Sequence, residues 1–491
     1  WSESTLTWFN QPDTMGSPVT TPSRLGYQEW DVTAHVQSML ESGVHYGWMV
    51  RDAHESDLEL GGDQSFISRE MFQDPPEMTL PQLVLKYTAD ATPPPPAPEP
   101  ATTETTVACG QVLTESTLVG NDLLGCLGEG LVIGAPNIVV DLNGHRITSG
   151  LLLEPGEEEG LTSGIRNGSF TNVVIRNGRI SGFGYGVLLG SGTTHNVVED
   201  MHLTGNALAG IYLFDADNGR TGNTIQDNFI DHNGETGITL ISDSENSVIK
   251  NNTFIGNGMS IHLFQASGHR IEGNEISGVV LNPLLDSDAG IVLEEGSNRN
   301  VMIDNNISDT GDAGIIIHMG SHDNRVEGGE MTRNGDAGVI IEESDRAQVI
   351  GILAHGQSDA GVVLGNSQDS VVRDSDLRFN PSGVSASNTN NLLVENNDVS
   401  DSLQSGIEIG NGLNIRIRNN IANHTGGSGI SVEGGAFDAL GNPIGGALIE
   451  GNTANENGSD GLSIASAGHT IRNNTAHNNF GFGIMAGEML E

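Results

Sequence analysis

The sequence is poor in lysine, cysteine and aromatic residues. Only two lysines occur, Lys86 and Lys250, and 20 basic residues stand against 64 acidic ones, a net charge of −44 over 491 residues. A nucleic-acid binder needs a basic footprint, so nucleic-acid partners are excluded. No apolar run approaches the roughly 18–20 residues of a membrane helix, so no membrane insertion is expected. Cysteine is limited to Cys109 and Cys126. With no CxxC or Cys/His metal spacing to compete, the pair fits one disulfide in an oxidising, extracellular setting. The chain begins at Trp rather than Met, as expected of a fragment or of a sequence that has lost a leader. Glycine, by contrast, reaches 67 residues, and the 36% of hydrophobic residues fall at regular intervals, which argues against disorder.

Residues 91–105, ATPPPPAPEPATTET, read as an extended, semi-rigid linker between unlike parts. Residues 1–90 contain all four tryptophans and alternate as β-structure in STLTW, WDVTAHV, YGWMVRD and PQLVLKYT. A partial, jelly-roll-like β-sandwich is expected there. The stretches WSESTLTW (1–8), YQEWDVTAHVQSML (27–40), YGWMVRD (46–52), FISRE (66–70) and PQLVLKY (81–87) resemble the C-terminal half of the DNRLRE family of carbohydrate-binding modules. That resemblance implies a polysaccharide partner, with Trp48 as a candidate sugar-stacking residue.

Beyond the linker the chain repeats. Gly-apolar-x-apolar recurs at Gly164, Gly186, Gly210, Gly237, Gly290, Gly314, Gly338, Gly361, Gly383, Gly406, Gly429, Gly461 and Gly483, with Ser260 replacing Gly once. A second run in each unit ends in asparagine, as at Asn228, Asn252, Asn274, Asn306, Asn397, Asn420, Asn452 and Asn474. Units of roughly 22–24 residues are too short for propeller blades, and each is too small to bury a core alone. Stacked, they give an all-β fold: a right-handed parallel β-helix over 106–491, of about 14 coils. The glycines are expected to serve the turns, and the asparagines a hydrogen-bonded ladder. The segment CGQVLTESTLVGNDLLGCLGEGLVIGAPNIVVDLNGHRI (109–147) resembles the opening coil of secreted parallel β-helix repeat proteins, with Cys109 and Cys126 stapling the cap.

Candidate chemistry emerges from overlaying the coils. Four residues after each repeat glycine comes an outward column that holds Glu294, His318 and Glu342 in three neighbouring coils, at about 4.8 Å per coil. Glu295 and Glu343 follow immediately, His262 projects from an adjoining coil, and the asparagine ladder fails at Gly329, Ile352 and Ser375. Departures from a local rule cluster at functional sites. Glu294 and Glu342 could serve as an inverting glycosidase pair. Alternatively, His318 or His262 could be the base of a polysaccharide lyase or uronate epimerase, with Arg325 clamping an anionic sugar. A second column, Asp288, Asp312, Asp336 and Asp359, either caps turns or binds Ca²⁺; no organic cofactor is expected. No Asp-Pro-His segment of the mannuronan epimerases and no Gly-His-Gly segment of the polygalacturonases is present. The expected function is therefore polysaccharide engagement and degradation, elimination ahead of hydrolysis. The competing expectation is a non-catalytic surface, adhesin or fibre-like rod.

Overall fold

The computed structural model describes residues 95–151, 162–214, 222–242, 244–279, 288–434, 436–437, 443–444, 446–465 and 468–487. The chain divides into two compact units, 1–93 and 94–491. The sandwich expected over 1–90, and Trp48 within it, lies outside the described residues.

Among the described residues every regular element is a strand, and the second unit is a parallel β-helix. Each coil contributes three short strands, as in Thr224–Gln226, Phe229–Asp231 and Thr236–Ile241. The third strand of each coil joins a sixteen-stranded parallel sheet, here called the glycine face; the first two merge into a twenty-four-stranded sheet that covers the other sides. Sixteen strands mean two more coils than the glycine repeat indicated. The extra ones are Gln111–Leu113 and Leu131–Ile133 in the cap; Gly130-Leu-Val-Ile carries the motif there, but the count began only at Gly164. The disulfide Cys109–Cys126 forms there as expected.

Strand periodicity explains the core. Ile225 pairs with Ile249, Ile230 with Phe254 and Ile238 with Ile261, and all six are fully buried. Alternate residues point outward, so along Met259–Phe264 the side chains of Ile261 and Leu263 fill the interior while His262 and Phe264 stay outside. Each apolar residue thus packs against its equivalents above and below, and identical neighbours make the aliphatic stack self-consistent.

The repeat glycines are not turn residues. They lie at strand starts without left-handed backbone, and the constraint is close approach. A Cβ on Gly290 would fall 2.7 Å from the Gly314 carbonyl oxygen, and one on Gly314 would fall 2.7 Å from that of Gly338. The turns are made instead by left-handed residues, many of them asparagine or aspartate, such as Asn251, Asp304 and Asn396.

Three polar ladders run through the corners where one was expected. In the first, Asn228 donates to Asn252 (2.9 Å), Asn252 to Asn274 (3.0 Å) and Asn274 to Asn305 (2.9 Å). The ladder member is the buried Asn305, not the expected Asn306; the latter is exposed and donates to Glu275. After Gly329 and Ile352, Ser375 resumes the ladder by donating its N–H to Asn397. The second ladder includes Asn206, Asn233 and Asn257. The third runs through Asn223, Ser247, His269, Asn300 and Asn324. In the first ladder each amide bonds across a coil step and to a core-facing carbonyl, so no buried amide from Asn252 to Asn305 is left without a partner.

The Pro-rich segment is held against the solenoid from residue 95. Pro96 O accepts from Asn172, Glu99 O accepts from Ser116, and Glu104–Thr105 pairs in parallel with Leu118–Val119.

Candidate active site

The glycine face places the outward column as the overlay predicted. Phe264 pairs with Glu294, Leu293 with Ile317 just before His318, and Glu342 with Gly365. His262 lies two residues earlier in its strand, opposite Val292. Its side chain turns along the sheet to reach Glu294.

The result is a shared carboxylate. His262 Nε2 bonds Glu294 Oε1 at 2.7 Å and His318 Nε2 bonds Oε2 at 3.1 Å, all three side chains half-buried. Hydrogen bonds from His262, then His318, outweigh the cost of burial and bring the Glu294 carboxyl down to about 2. Glu294 is therefore ionised at any working pH. A carboxylate only accepts, so each Nε2 carries the hydrogen and each ring turns Nδ1 away from Glu294. Neither Nδ1 has a partner among the described residues. The Phe264 ring stands edge-on to His262 at 6.3 Å and walls the cluster on one side.

Other expected residues are placed differently. Glu342 is exposed in the same column, two coils from Glu294, and belongs to no ion pair among the described residues. Glu295 and Glu343 occupy the left-handed corner that follows the strand, with φ of 52° and 51°. Both are exposed. Arg325 is on the other sheet, in Arg325–Glu327, where Glu327 (3.0 and 2.8 Å) and Gln348 (3.2 Å) hold it. The structure does not bring it to the histidines.

The aspartate column forms, threaded by backbone bonds from Asp312 N to Asp288 O, Asp336 N to Asp312 O and Asp359 N to Asp336 O. Burial, with Asp359 and Asp312 alongside, raises the Asp336 carboxyl. Among the described residues, no group of three or more His, Cys, Asp or Glu is arranged to hold a metal ion.

Two further clusters escaped the overlay. On the twenty-four-stranded sheet, Asp231 accepts from His202 Nε2 and His232 Nδ1, both at 2.7 Å. Several coils further along the same sheet, Asp376 accepts from His355 (2.8 Å) and Arg378 (2.8 and 2.7 Å). Burial opposes ionisation of Asp376, but Arg378 and His355 bring its carboxyl down to about 2. The signal was available: a second coil overlay puts Asp231, Ile255, Ser277, Ser308, Thr332 and His355 in one column.

Fold and families agree at this point. The second unit is a right-handed β-helix repeat protein, residues 330–445 matching the family described as right handed beta helix region. Residues 143–328 match the family described as periplasmic copper-binding protein (NosD), and residues 1–82 match carbohydrate-binding module family 96. No curated protein matches. Among solved structures, the mannuronan C-5 epimerase AlgE6 A-module of Azotobacter vinelandii is 15% identical, with a TM-score of 0.37 over 75% of this chain and 89% of its own. The DFA-IIIase of Arthrobacter chlorophenolicus A6 is 11% identical, with a TM-score of 0.39 over 50% and 66%. The periplasmic alginate epimerase AlgG is 14% identical, with a TM-score of 0.36 over 72% and 76%. For copper, the described residues offer no group of three or more His, Cys, Asp or Glu that could hold the ion, and both cysteines are in the disulfide.

Proposed function

We propose that the chain is an extracellular polysaccharide-modifying enzyme whose chemistry is proton transfer at His262–Glu294–His318, with β-elimination preferred to hydrolysis. The carrying observation is the Glu294 carboxylate held between two imidazoles at 2.7 and 3.1 Å. In an inverting pair a carboxyl brought down to about 2 fits the base and not the acid, which would leave the acid role to the exposed Glu342, two coils away. Two oriented imidazoles suit elimination. Nδ1 of one takes the C5 proton of a uronosyl residue. The electron pair left behind forms the C4=C5 bond as the C4–O bond breaks, and the leaving oxygen takes a proton from the second imidazole in its cationic form. Glu294 balances that cation. Epimerisation would need a second donor, the other imidazole in its cationic form, to protonate C5 on the face opposite the base, with the C4–O bond left intact.

The match to carbohydrate-binding module family 96 over residues 1–82 supports a polysaccharide partner. The test is a panel of uronic and neutral polysaccharides followed for unsaturated products by ultraviolet absorbance and for new reducing ends. Unsaturated product lost in Glu294→Gln supports the reading; reducing ends without ultraviolet gain would exclude elimination. Neither product from any glycan would favour the rod-like structural alternative.

Calcium belongs to the same proposal. An anionic polymer approaching a chain of charge −44 needs a cation, and the Asp312–Asp336–Asp359 column is where carboxylates crowd. Because these side chains form no three-ligand cage, the ion would be held through water. Added Ca²⁺ should raise the melting temperature and a chelator should reverse it; an unchanged transition would remove calcium from the reading.

A further inference from the structure

The twenty-four-stranded sheet carries a groove that neither the candidate active site nor the family matches account for. It is a shallow channel of about 270 Å³, lined by Thr253, Glu275, Ser277, Asn306, Ser308, Glu330 and Thr332 and floored by Ile276 and Ile307. These residues form two adjacent columns along the solenoid, so the channel presents the same polar edge at each coil. Successive coils are about 4.8 Å apart along the channel.

Aromatic rings stand beyond the channel on both sides, Phe229 one coil before Thr253 and Phe379 two coils after Thr332. On the first side Phe229 is 38% exposed, with His202 edge-on at 4.9 Å. On the other Phe379 is 52% exposed. Phe379 also stands in left-handed backbone, φ 60°, at a corner where the preceding coils use Gly356 and Arg333. The corner takes large residues elsewhere, His232 and Arg333 among them, but Phe379 is an exposed apolar ring there. Arg378 lies 5.4 Å over the ring and His355 5.6 Å edge-on, and both are fixed by Asp376, so the ring is rigid although exposed. Six coil steps separate the two rings, roughly 29 Å at the strand spacing.

The chemistry between the rings suits hydroxyl-rich, uncharged ligands. The hydroxyls of Thr253, Ser277 and Thr332 line the channel and face outward from their strands. Asn306 is oriented by donating to Glu275 and accepting from Glu330 N, and the exposed Ile255 adds an apolar step. Charge decides the rest. The two arginines beside the channel are spent, Arg333 on Asp309 and Arg378 on Asp376, while Glu275 and Glu330 remain acidic. An anionic polymer would be repelled; a neutral one offers hydroxyls to the carboxylates and ring faces to the phenylalanines.

We propose that this channel binds a linear neutral polysaccharide lying along the solenoid axis, with Phe229 and Phe379 as terminal stacking platforms. It does not depend on the elimination reading, whose site is on the glycine face.

The test is affinity electrophoresis and calorimetry of the full chain against soluble neutral linear glycans (β-glucan, xylan, mannan and galactan) and against uronic polymers. The intact chain should bind at least one neutral glycan. Phe379→Gly, which relieves the left-handed corner, should weaken that binding about tenfold while leaving the melting temperature equal or higher. Ser308→Trp, which fills the channel, should weaken it as much. Unchanged affinity in both variants would assign the binding to residues 1–82 and overturn the proposal. So would failure of the intact chain to bind any neutral glycan. Glu294→Gln should leave this affinity intact, so failure of the groove and failure of the enzymatic reading are separately visible.

Discussion

Among the described residues two carboxylates each accept from two imidazoles, and their surroundings set them apart. Glu294 lies between His262 and His318 on the glycine face, both bonded through Nε2, so both rings offer Nδ1 outward. Asp231 lies between His202 and His232 on the other sheet, but His232 is bonded through Nδ1, is 66% exposed and occupies a left-handed corner of φ 52°. Its Nε2 lies against Gly256, close to where a Cβ on that residue would be. For Asp231, burial is opposed by His232, then His202 and Thr204, and the carboxyl is lowered. The same three functional groups thus yield a paired base in one place and a corner brace in the other. Which ring nitrogen faces outward, rather than residue type, separates the two.

The largest expected effect tests that contrast directly. Glu294→Gln should reduce turnover by at least about 10²-fold, the cost of misplacing a general base, with little change in melting temperature. Asp231→Asn should leave turnover near the parent value and lower stability by about 1 kcal/mol. Equal losses of turnover in the two variants would erase the distinction.

A second experiment addresses the ladders beneath both clusters. Asn274→Ala removes a buried amide that donates to Asn305 and to Ile249 O and accepts from Asn252. It should destabilise by about 1–3 kcal/mol in a denaturant titration. The exposed Asn306→Ala should cost far less, separating the true ladder residue from its neighbour.

The smallest effect is the most specific. His269 is fully buried, donating from Nε2 to Ser244 O and accepting at Nδ1 from Ser247 N. Burial, against those two bonds, takes it down to about 4. A group depressed in the folded state stabilises above its unfolded value and loses that stabilisation as pH falls, so His269 should destabilise the fold from about pH 6.5 down to 4. Glu294, also depressed, should act lower, from about pH 4.5 to 2. His269→Asn keeps a ladder amide and should flatten only the upper part of the pH–stability curve. A curve unchanged by it would mean that the histidine is not held neutral.

Much of this was legible in one dimension. The period of the glycines gave the coil, and counting from each glycine placed Glu294, His318 and Glu342 in one column, because parallel in-register stacking turns sequence offset into spatial position. The same logic erred by one residue at Asn306: of two consecutive asparagines it took the second, whereas Arg270 pairing with Val301 aligns Asn274 with Asn305. It missed Asp231, His355 and Phe379 because the overlay followed a single face. It also drew Arg325 toward the histidines, as nearness in sequence hid the change of sheet between His318 and Arg325.

The sequence by itself determined the solenoid, its aliphatic core and the rows of like side chains, because a repeat that cannot bury its core alone must stack on its own copies. Tertiary structure decided the chemistry. Whether a carboxylate meets an imidazole at Nε2 or Nδ1, whether a glycine answers a turn or a neighbouring carbonyl, and whether an arginine is free or spent all depend on side-chain reach across coils, which no period in the sequence encodes.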